Sequence, residues 1–226
     1  MKRFWKEARA EDGQVLLDDR PVRTPKRNLL AIPSAPLADA VAAEWSAVGE
    51  ELDPRQLPLT GLANAAIDIV AADHAGFADT LARYAETDLL AYRATSPDEL
   101  IARQAQQWDP LLDWVRSRYD VHVEVVGGIM HRPQPDATIA RLREAVLART
   151  AFELAALSPI VTIGGSLIVG LALVERAFES DQLWSAVNLD ELWQEELWGE
   201  DALAIEGRAA RRRDWEAAVR LLDLLT

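Results

Sequence analysis

The sequence contains no cysteine and only three histidines among its 226 residues. Without cysteine the chain can form neither a disulfide framework nor a thiolate metal site, and this absence fits a reducing compartment. The histidines, His74, His122 and His131, have no second metal ligand four residues away, the spacing that places two ligands on one helix face. The sequence therefore predicts no metal centre.

Signatures of nucleotide-binding and hydrolase sites are also missing. The glycine pairs at 127–128 and 164–165 lack the strand–Gly-x-Gly-x-x-Gly–helix context of a dinucleotide site and the Gly-Lys-Ser/Thr ending of a P-loop. No Gly-x-Ser-x-Gly elbow occurs. We therefore expect no cofactor and no catalytic residue. The alternatives are an enzyme that uses clustered carboxylates in the helical part of the chain and a scaffold that recognises some other basic protein.

We expect no targeting signal in the first residues. They read Met-Lys-Arg-Phe-Trp-Lys-Glu, and this start has no apolar segment of the kind that secretory signals contain. It also lacks the long Arg- and Ser-rich, acid-poor composition of an organellar presequence. The expected location is the compartment of synthesis, the cytoplasm.

The formal charge of −13 is unevenly distributed. Residues 1–32 carry eight basic side chains and five acidic ones, whereas ten acids between Glu175 and Glu206 face only Arg176. An acidic surface of this density repels nucleic acid and anionic membranes. The sequence thus predicts no nucleic-acid partner and no membrane insertion. It favours a protein partner with a basic or mixed surface, with solubility alone as the alternative.

The longest apolar stretch, residues 152–178, carries no charge between Ile160 and Val174. The uncharged part is shorter than the roughly 20 apolar residues of a membrane-spanning helix, and Pro159 and two glycines interrupt the longer stretch. We interpret it as one central helix, or two helices that meet near Gly164, with the other helices packed around it. Small residues such as Gly170 would let neighbouring backbones approach closely.

The beginning of the chain has the pattern of short strands. Asp12-Gly13 is a strong hairpin signal between residues 4–8 and 14–17, and a second turn is expected at residues 18–20. This pattern predicts a small antiparallel sheet.

A proline-containing loop at residues 53–58 is the best candidate for a domain boundary. We therefore predict an α+β protein. Its small N-terminal antiparallel β-rich domain covers residues 1–57, and its larger, mainly α-helical bundle domain covers residues 58–226.

The remainder of the chain is predominantly helical in pattern. Gly49 is the expected C-cap of the first helix, Thr60 caps the second, and Ser96 with Glu99 has the spacing of a capping box. Residues 121–126 alternate like a strand and are expected to pair with an edge of the N-terminal sheet. Helices are predicted over residues 37–48, 60–70, 77–88, from 97 toward 108, 136–150, 180–199 and 201–224.

The acidic helix before Gly199 presents a carboxylate on an apolar face. Ala186, Leu189, Trp193 and Leu197 share that face on a helical wheel, and Glu196 projects from within it. Such a carboxylate is costly unless it is paired. The arginines of the last helix could pair with it: Arg208, Arg211, Arg212 and Arg213.

Eight tryptophans are more than a core of this size requires, and tryptophan is enriched at protein interfaces. Trp193 and Trp198 lie inside the acidic helix. They are therefore the two tryptophans that we expect at or near a contact surface.

The motifs together resemble a known family, the assembly chaperones that act on the α subunit of the F1 sector of ATP synthase. The chain departs from the family where Asp19 replaces a common glycine and where Gly61 replaces a common arginine. The matching motifs run in family order: Lys2-Arg-Phe-Trp-Lys6, Leu17-Asp-Asp-Arg-Pro-Val-Arg-Thr-Pro25, Ala43-Glu-Trp45, Pro58-Leu-Thr-Gly-Leu-Ala-Asn-Ala65, Tyr84-Ala-Glu-Thr-Asp-Leu-Leu90, Gln107-Trp-Asp-Pro-Leu-Leu-Asp-Trp114, Gly165-Ser-Leu167 and Asp190-Glu-Leu-Trp-Gln-Glu-Glu-Leu-Trp-Gly199.

The resemblance implies a two-domain chaperone that is a monomer when free and uses no ATP. It would bind the unassembled F1 α subunit and prevent its aggregation until the β subunit takes its place, in the bacterial cytoplasm or, for eukaryotic relatives, in the mitochondrial matrix. The family's important glutamate corresponds to Glu196, with Glu191 as the alternative match. Both a contact with the client and an internal pair with an arginine remain open for Glu196. The expected partner-binding residues are Glu196, Glu191, Trp193, Trp198, Glu195 and Asp190.

Overall fold

Two tight turns fold the start of the chain into a three-stranded antiparallel sheet in the computed structural model, which describes residues 2–226. The strands are β1 (Ala8–Glu11), β2 (Gln14–Leu17) and β3 (Arg20–Pro21). Asp12 and Gly13 both have positive φ, 50° and 74°, as a two-residue hairpin turn with the twist of its strands requires. The predicted hairpin and small antiparallel sheet are confirmed.

The first strand begins later than expected, at Ala8 rather than at Phe4. Trp5 explains the difference because it is buried and its indole nitrogen donates to the carbonyl oxygen of Trp45 over 3.2 Å. The residues before β1 therefore pack on the first helix, α1 (Ala35–Ala47), instead of pairing with β2.

Helix α1 covers the sheet with its apolar side. Ser34 is its N-cap, and the Ser34 hydroxyl accepts a hydrogen bond from the Leu37 amide over 3.2 Å. The C-cap is Val48, so Gly49, with no positive φ, does not end the helix as predicted. Side chains of the sheet and of α1 that form this core are Val15, Leu17, Leu37, Val41 and Trp45.

The next helix, α2 (Pro58–Ala65), continues into a π-helical turn over Ala66–Val70. Thr60 lies inside α2 and is not its N-cap, which corrects the prediction. The Thr60 hydroxyl instead donates to the Glu44 carboxylate of α1 over 2.8 Å. Glu44 thereby satisfies the amides at the start of α2 from a neighbouring helix, since it also accepts from the Leu59 amide over 2.7 Å.

Helix α3 (His74–Ala82) leads through short 3₁₀ turns to strand β4 (Tyr92–Arg93) and the long helix α4 (Asp98–Tyr119). The helix predicted from Pro97 toward residue 108 is present, but it does not restart at Pro110 and continues through that residue to Tyr119 as one helix. The prediction of Ser96 as its N-cap is wrong. The extended residue Pro97 occupies the cap position without a side-chain bond, which leaves Ser96 outside the helix.

The predicted strand at residues 121–126 is reduced to β5 (Val126–Gly127), which pairs in parallel with β4 and not with the N-terminal sheet. The side chain of Gln134 gives the reason. It accepts from the Glu124 amide and donates to the Glu124 carbonyl, each over 2.9 Å, and so occupies the bonds that a partner strand would use.

The long apolar stretch forms two helices, α6 (Ala151–Gly164) and α7 (Leu167–Val174), after α5 (Asp136–Leu147). They meet at Gly165, whose φ is +62°, so the predicted break near Gly164 is confirmed. Ser166 caps α7 by accepting from the Val169 amide over 3.1 Å. Every residue from Leu167 to Leu173 is buried.

Three helices complete the chain: α8 (Ser180–Val187), α9 (Leu189–Trp198) and α10 (Ala202–Leu224). We predicted one helix over 180–199, but the dihedral angles of Asn188 leave the helical region and divide it. Gly199 ends α9 with a φ of 88°, as expected. Among the described residues, no helix combines the length and apolar character that crossing a bilayer requires.

The contacts group the chain into two units, each discontinuous in sequence. The first contains Met1–Phe77, Thr150–Ala156 and Asp214–Thr226, and the second contains Ala78–Arg149 and Leu157–Arg213. The predicted boundary after residue 57 lies inside the first unit and stays a prediction about independently folding domains. The α+β fold class, a small antiparallel sheet followed by a helical part, is confirmed.

Candidate functional site

Helix α9 is held on its inner side by arginines of α10, within the second unit. The guanidinium of Arg208 donates to both carboxylate oxygens of Glu195, over 2.7 Å each, and it also reaches Glu191 over 3.2 Å. Arg211 donates to the other oxygen of Glu191 over 2.6 Å. The Glu195 hydrogen bonds raise the pKa of Arg208 further above its ordinary value. These bonds fix the rotation of α9 about its own axis.

A second set of contacts joins α9 to α4. Asp190 accepts a hydrogen bond from the amide of Gln104 over 2.8 Å, and Gln104 is buried. The side-chain oxygen of Gln104 accepts from the Ala94 amide over 2.8 Å. The amide of Gln104 thus sits between the chain before α4 and the start of α9, and Asp190 belongs to that connection.

Arg103 makes two contacts with α9 at once. Its guanidinium lies 4.6 Å from the ring centroid of Trp193, which is buried, and it forms an ion pair with Glu196 at 2.8 Å. The hydrogen bond from Arg103 lowers the pKa of Glu196, which therefore stays ionised at neutral pH. Both members of this pair are about half exposed, so Glu196 presents its charge at the surface.

Large apolar side chains surround the junction between α9 and α10. Trp198 is 78% exposed and Leu203 is 77% exposed. Two acids, Glu200 and Asp201, stand between them in sequence and are exposed. We call this surface the Trp198 patch, and its apolar members are Leu197, Trp198, Leu203 and Ile205.

The structure divides the six residues expected to bind a partner into two groups. Glu196 and Trp198 are exposed, although Glu196 also forms the ion pair with Arg103. The other four are buried or partly buried and contact neighbours inside the second unit through hydrogen bonds, ion pairs or a cation–π contact: Asp190, Glu191, Trp193 and Glu195.

The helical-wheel prediction is correct for the middle of α9 and wrong at its end. Leu189 and Trp193 are buried as expected, but Leu197, one residue before the end of the helix, is 55% exposed. The expected internal pair between Glu196 and an arginine of α10 is also corrected. Glu196 pairs with Arg103 of α4, and Arg208 of α10 forms ion pairs with Glu191 and Glu195.

Sequence reasoning missed the contributions of α4 and of the first turns of α10. Arg103 and Gln104 lie more than eighty residues before their partners in α9, and no local spacing connects them. Leu203 and Ile205 could have been noticed, since they are apolar residues in a mainly acidic stretch.

The site contains no arrangement suited to a metal ion. Within residues 2–226, no group of three or more histidine, aspartate or glutamate side chains is placed to hold one. The carboxylates of α9 bond to arginine or glutamine side chains instead. The arrangement is that of an oriented acidic helix whose exposed end carries apolar side chains.

Known proteins resemble the chain over its whole length. The crystal structure of Atp12 from Paracoccus denitrificans is 38% identical with a TM-score of 0.94, covering 100% of this chain and 98% of that chain. A protein of Agrobacterium tumefaciens whose description names a chaperone is also 38% identical, with a TM-score of 0.93 and coverage of 100% and 86%. Mitochondrial atp12 of Schizosaccharomyces pombe is 26% identical over 236 residues, 96% of this chain and 81% of that protein.

The family match covers a different part of the chain from the acidic helix. The ATP12 chaperone protein family matches residues 2–116, which reach from the N-terminal sheet into α4. The match to the crystal structure of Paracoccus denitrificans Atp12 includes the second half of the chain as well, with α9 and α10. On these findings, the chain belongs to the ATP12 family of chaperones for ATP synthase assembly.

Proposed function

We propose that the chain binds the unassembled α subunit of the F1 sector, shields the surface with which that subunit assembles, and leaves when the α/β hexamer forms. Family membership supports a role in ATP synthase assembly. The sequence resemblance to chaperones of the α subunit supports the choice of client.

The observation that carries this proposal is the Trp198 patch. Trp198 is 78% exposed and follows the exposed Leu197 directly in sequence, and apolar patches with polar rims mark protein-binding sites. Trp198 in particular has the large, rigid surface that dominates binding energy at protein interfaces. Acidic neighbours such as Glu196 and Glu200 give the patch an acidic rim.

The two groups of α9 residues have different tasks in this proposal. The inner carboxylates Glu191 and Glu195 hold the helix in place through Arg208 and Arg211. The outer residues Glu196 and Trp198 contact the client. Charge at the rim of an interface mainly controls orientation and the rate of association, whereas buried apolar area supplies affinity.

Shielding of this kind requires no bond to be made or broken, so we propose that the chain is not an enzyme and uses neither ATP nor a cofactor. The bonding of the α9 carboxylates supports this view, because they pair with arginines instead of converging on a substrate. We further propose that the free chain is a monomer and that it acts where F1 subunits fold, in the bacterial cytoplasm or, for eukaryotic relatives, in the mitochondrial matrix.

The test is to refold purified F1 α subunit with and without the chain and to measure light scattering and complex formation by size-exclusion chromatography. We expect less aggregation and a complex of the two proteins. Glu196→Lys should weaken the complex and leave the melting temperature nearly unchanged, because its ion pair with Arg103 is exposed to water.

Glu144→Lys is the matched control, since Glu144 is an exposed helical glutamate of α5 in the same unit. It changes the net charge equally and should bind like the parent chain. No complex with the α subunit, or equal loss of binding in both variants, would contradict the proposal. A collapsed melting temperature for Glu196→Lys would assign Glu196 a structural task instead.

A further inference from the structure

Two ion pairs of the acidic helix differ in geometry and in exposure. Arg208 holds Glu195 with two nitrogens, one on each carboxylate oxygen, and these side chains are only 17% and 15% exposed. Arg103 holds Glu196 with a single nitrogen, Nη1, which lies 2.8 Å from each carboxylate oxygen. These side chains are 45% and 53% exposed. The pair with Arg208 is therefore shielded, whereas the pair with Arg103 is accessible to another molecule.

Arg103 has a second carboxylate beside it. Glu99 lies one helical turn earlier in α4, at the i, i+4 spacing that makes two side chains neighbours, and it is exposed. The hydrogen bond to Glu196 raises the pKa of Arg103, and the charge of Glu99 adds to that rise. If Arg103 leaves Glu196, its charge is still compensated by Glu99.

The indole of Trp193 supports the guanidinium of Arg103 from below. The guanidinium carbon lies 4.6 Å from the ring centroid, and Trp193 is buried one turn before Glu196 in α9. A cation over the face of an indole is attracted by the ring itself. This attraction does not require Glu196, so the guanidinium can stay over the ring while its N–H groups change partner.

The surroundings of Glu196 favour a cation that arrives from outside. An ion pair between exposed side chains contributes little to stability, because water solvates both charges, and its opening is correspondingly easy. Glu200 and Asp201 follow within five residues of Glu196 and are also exposed, so their negative charge attracts a cationic group to this end of α9. Trp198, 78% exposed, offers apolar contact to the same partner.

We propose that Arg103 is an internal stand-in for a basic side chain of the client. In the free chain Arg103 occupies the Glu196 carboxylate. In the complex a lysine or arginine of the client takes that carboxylate, and a neighbouring apolar side chain of the client packs on Trp198. Arg103 then turns to Glu99, so that every charge keeps a partner. The inference rests on the proposed function for the identity of the client, and it names the chemistry that Glu196 recognises.

The first experiment needs no client protein. The full chain is labelled with ¹⁵N-arginine, and the Nε–H resonance of Arg103 is identified by its loss in Arg103→Gln. The probes are the blocked peptide Ser-Leu-Arg-Leu-Ser and the same peptide with neutral citrulline in place of arginine. We expect the arginine peptide to shift the Arg103 resonance and the citrulline peptide to leave it in place. In Glu196→Gln neither peptide should move it.

The second experiment measures the affinity for intact α subunit. Arg103→Gln removes the competitor and should tighten the complex by about two- to fivefold, the range that corresponds to one exposed ion pair. In a Glu196→Gln background the same substitution should change nothing. Arg213→Gln is the matched control, because Arg213 is an exposed arginine of the same unit, and its equal change of net charge should alter the affinity less. Thermal melting confirms that the variants fold.

The outcomes separate this inference from the proposed function. An Arg103 resonance that neither peptide moves, or that both peptides move equally, overturns the exchange even if the α subunit binds. Weaker or unchanged binding of the α subunit by Arg103→Gln would show that Arg103 only orients Glu196, and it also overturns the exchange. A shift with the arginine peptide alone, in a chain that does not bind the α subunit, would support the exchange and contradict the proposed function.

Discussion

Arg208 donates to both carboxylate oxygens of Glu195, with 2.7 Å between nitrogen and oxygen in each bond. This planar, two-bond geometry is the strongest form of a charge-assisted hydrogen bond, and both side chains are largely shielded from water. It fixes α9 against α10. The neighbouring Glu196 consequently points the other way and is exposed.

Loss of Arg208 is therefore expected to destabilise the second unit. Arg208→Met leaves Glu195 and part of Glu191 without a partner, and the free energy of unfolding should fall by about 3 kcal/mol. Chemical denaturation measures this change. Arg213→Met in the same helix is the control, because Arg213 is exposed. A similar loss of unfolding free energy in both variants would show that the pair with Glu195 contributes no more to stability than an exposed arginine does.

Trp198 and Trp193 should respond oppositely to the same substitution. Trp198→Ser removes an exposed ring and should leave the melting temperature unchanged while complex formation with the α subunit weakens. Trp193→Ser opens a cavity under Arg103 and should cost about 3 kcal/mol or more of stability. Full binding by Trp198→Ser, measured by size-exclusion chromatography, would contradict the role of the patch.

Asp88 gives the second unit a distinctive pH dependence. It is fully buried under the amides of Leu90 and Ile168, at 3.1 and 3.0 Å, and burial raises its pKa from 3.8 to about 6 despite these bonds. A carboxyl with a raised pKa in the folded state favours folding while it is protonated. Its contribution is complete below pH 3.8 and disappears as the pH rises through about 6.

The comparison with Asp88→Asn isolates this effect from the other carboxylates. Between about pH 4 and pH 7, the stability of the parent chain relative to the variant should fall by about 3 kcal/mol. Denaturant titrations at several pH values measure the difference. A stability difference that is constant with pH would show that Asp88 titrates normally.

Gly170 is required where α7 packs against α6. A Cβ built there would lie 2.6 Å from a methyl carbon of Val161 and 3.6 Å from Leu157. Gly170→Ala should therefore destabilise the protein by about 1–3 kcal/mol through overpacking. Gly61→Ala, in a helix with open space around it, is the control and should be neutral or slightly stabilising. Equal melting temperatures for the two variants would contradict this packing argument.

Local chemistry made much of the fold predictable from the sequence. Asp12-Gly13 permits the positive φ values of the first hairpin, and the glycine next to Ser166 breaks the apolar stretch into α6 and α7. Helix starts were less certain, because distant groups can replace local caps. Glu44 serves the amides of α2, for which the sequence suggested Thr60 as the cap.

The contacts of the acidic helix could be predicted only in part. The helical periodicity of the apolar residues identified the buried side of α9. The arginines of α10 suggested partners for the acidic side chains of α9. The choice among those acids depends on tertiary packing. Arg103 lies in a helix more than ninety residues earlier and pairs with Glu196, whereas Arg208 pairs with Glu195. No periodicity in the sequence predicts which arginine pairs with which glutamate.

The most direct test of the account is a displacement measurement. Purified α subunit is first bound to the chain, β subunit is then added, and the species are separated by size-exclusion chromatography. The account predicts that the chain elutes alone once β is present, while α and β elute together. A stable complex of all three proteins, or an α subunit that never bound the chain, would contradict it.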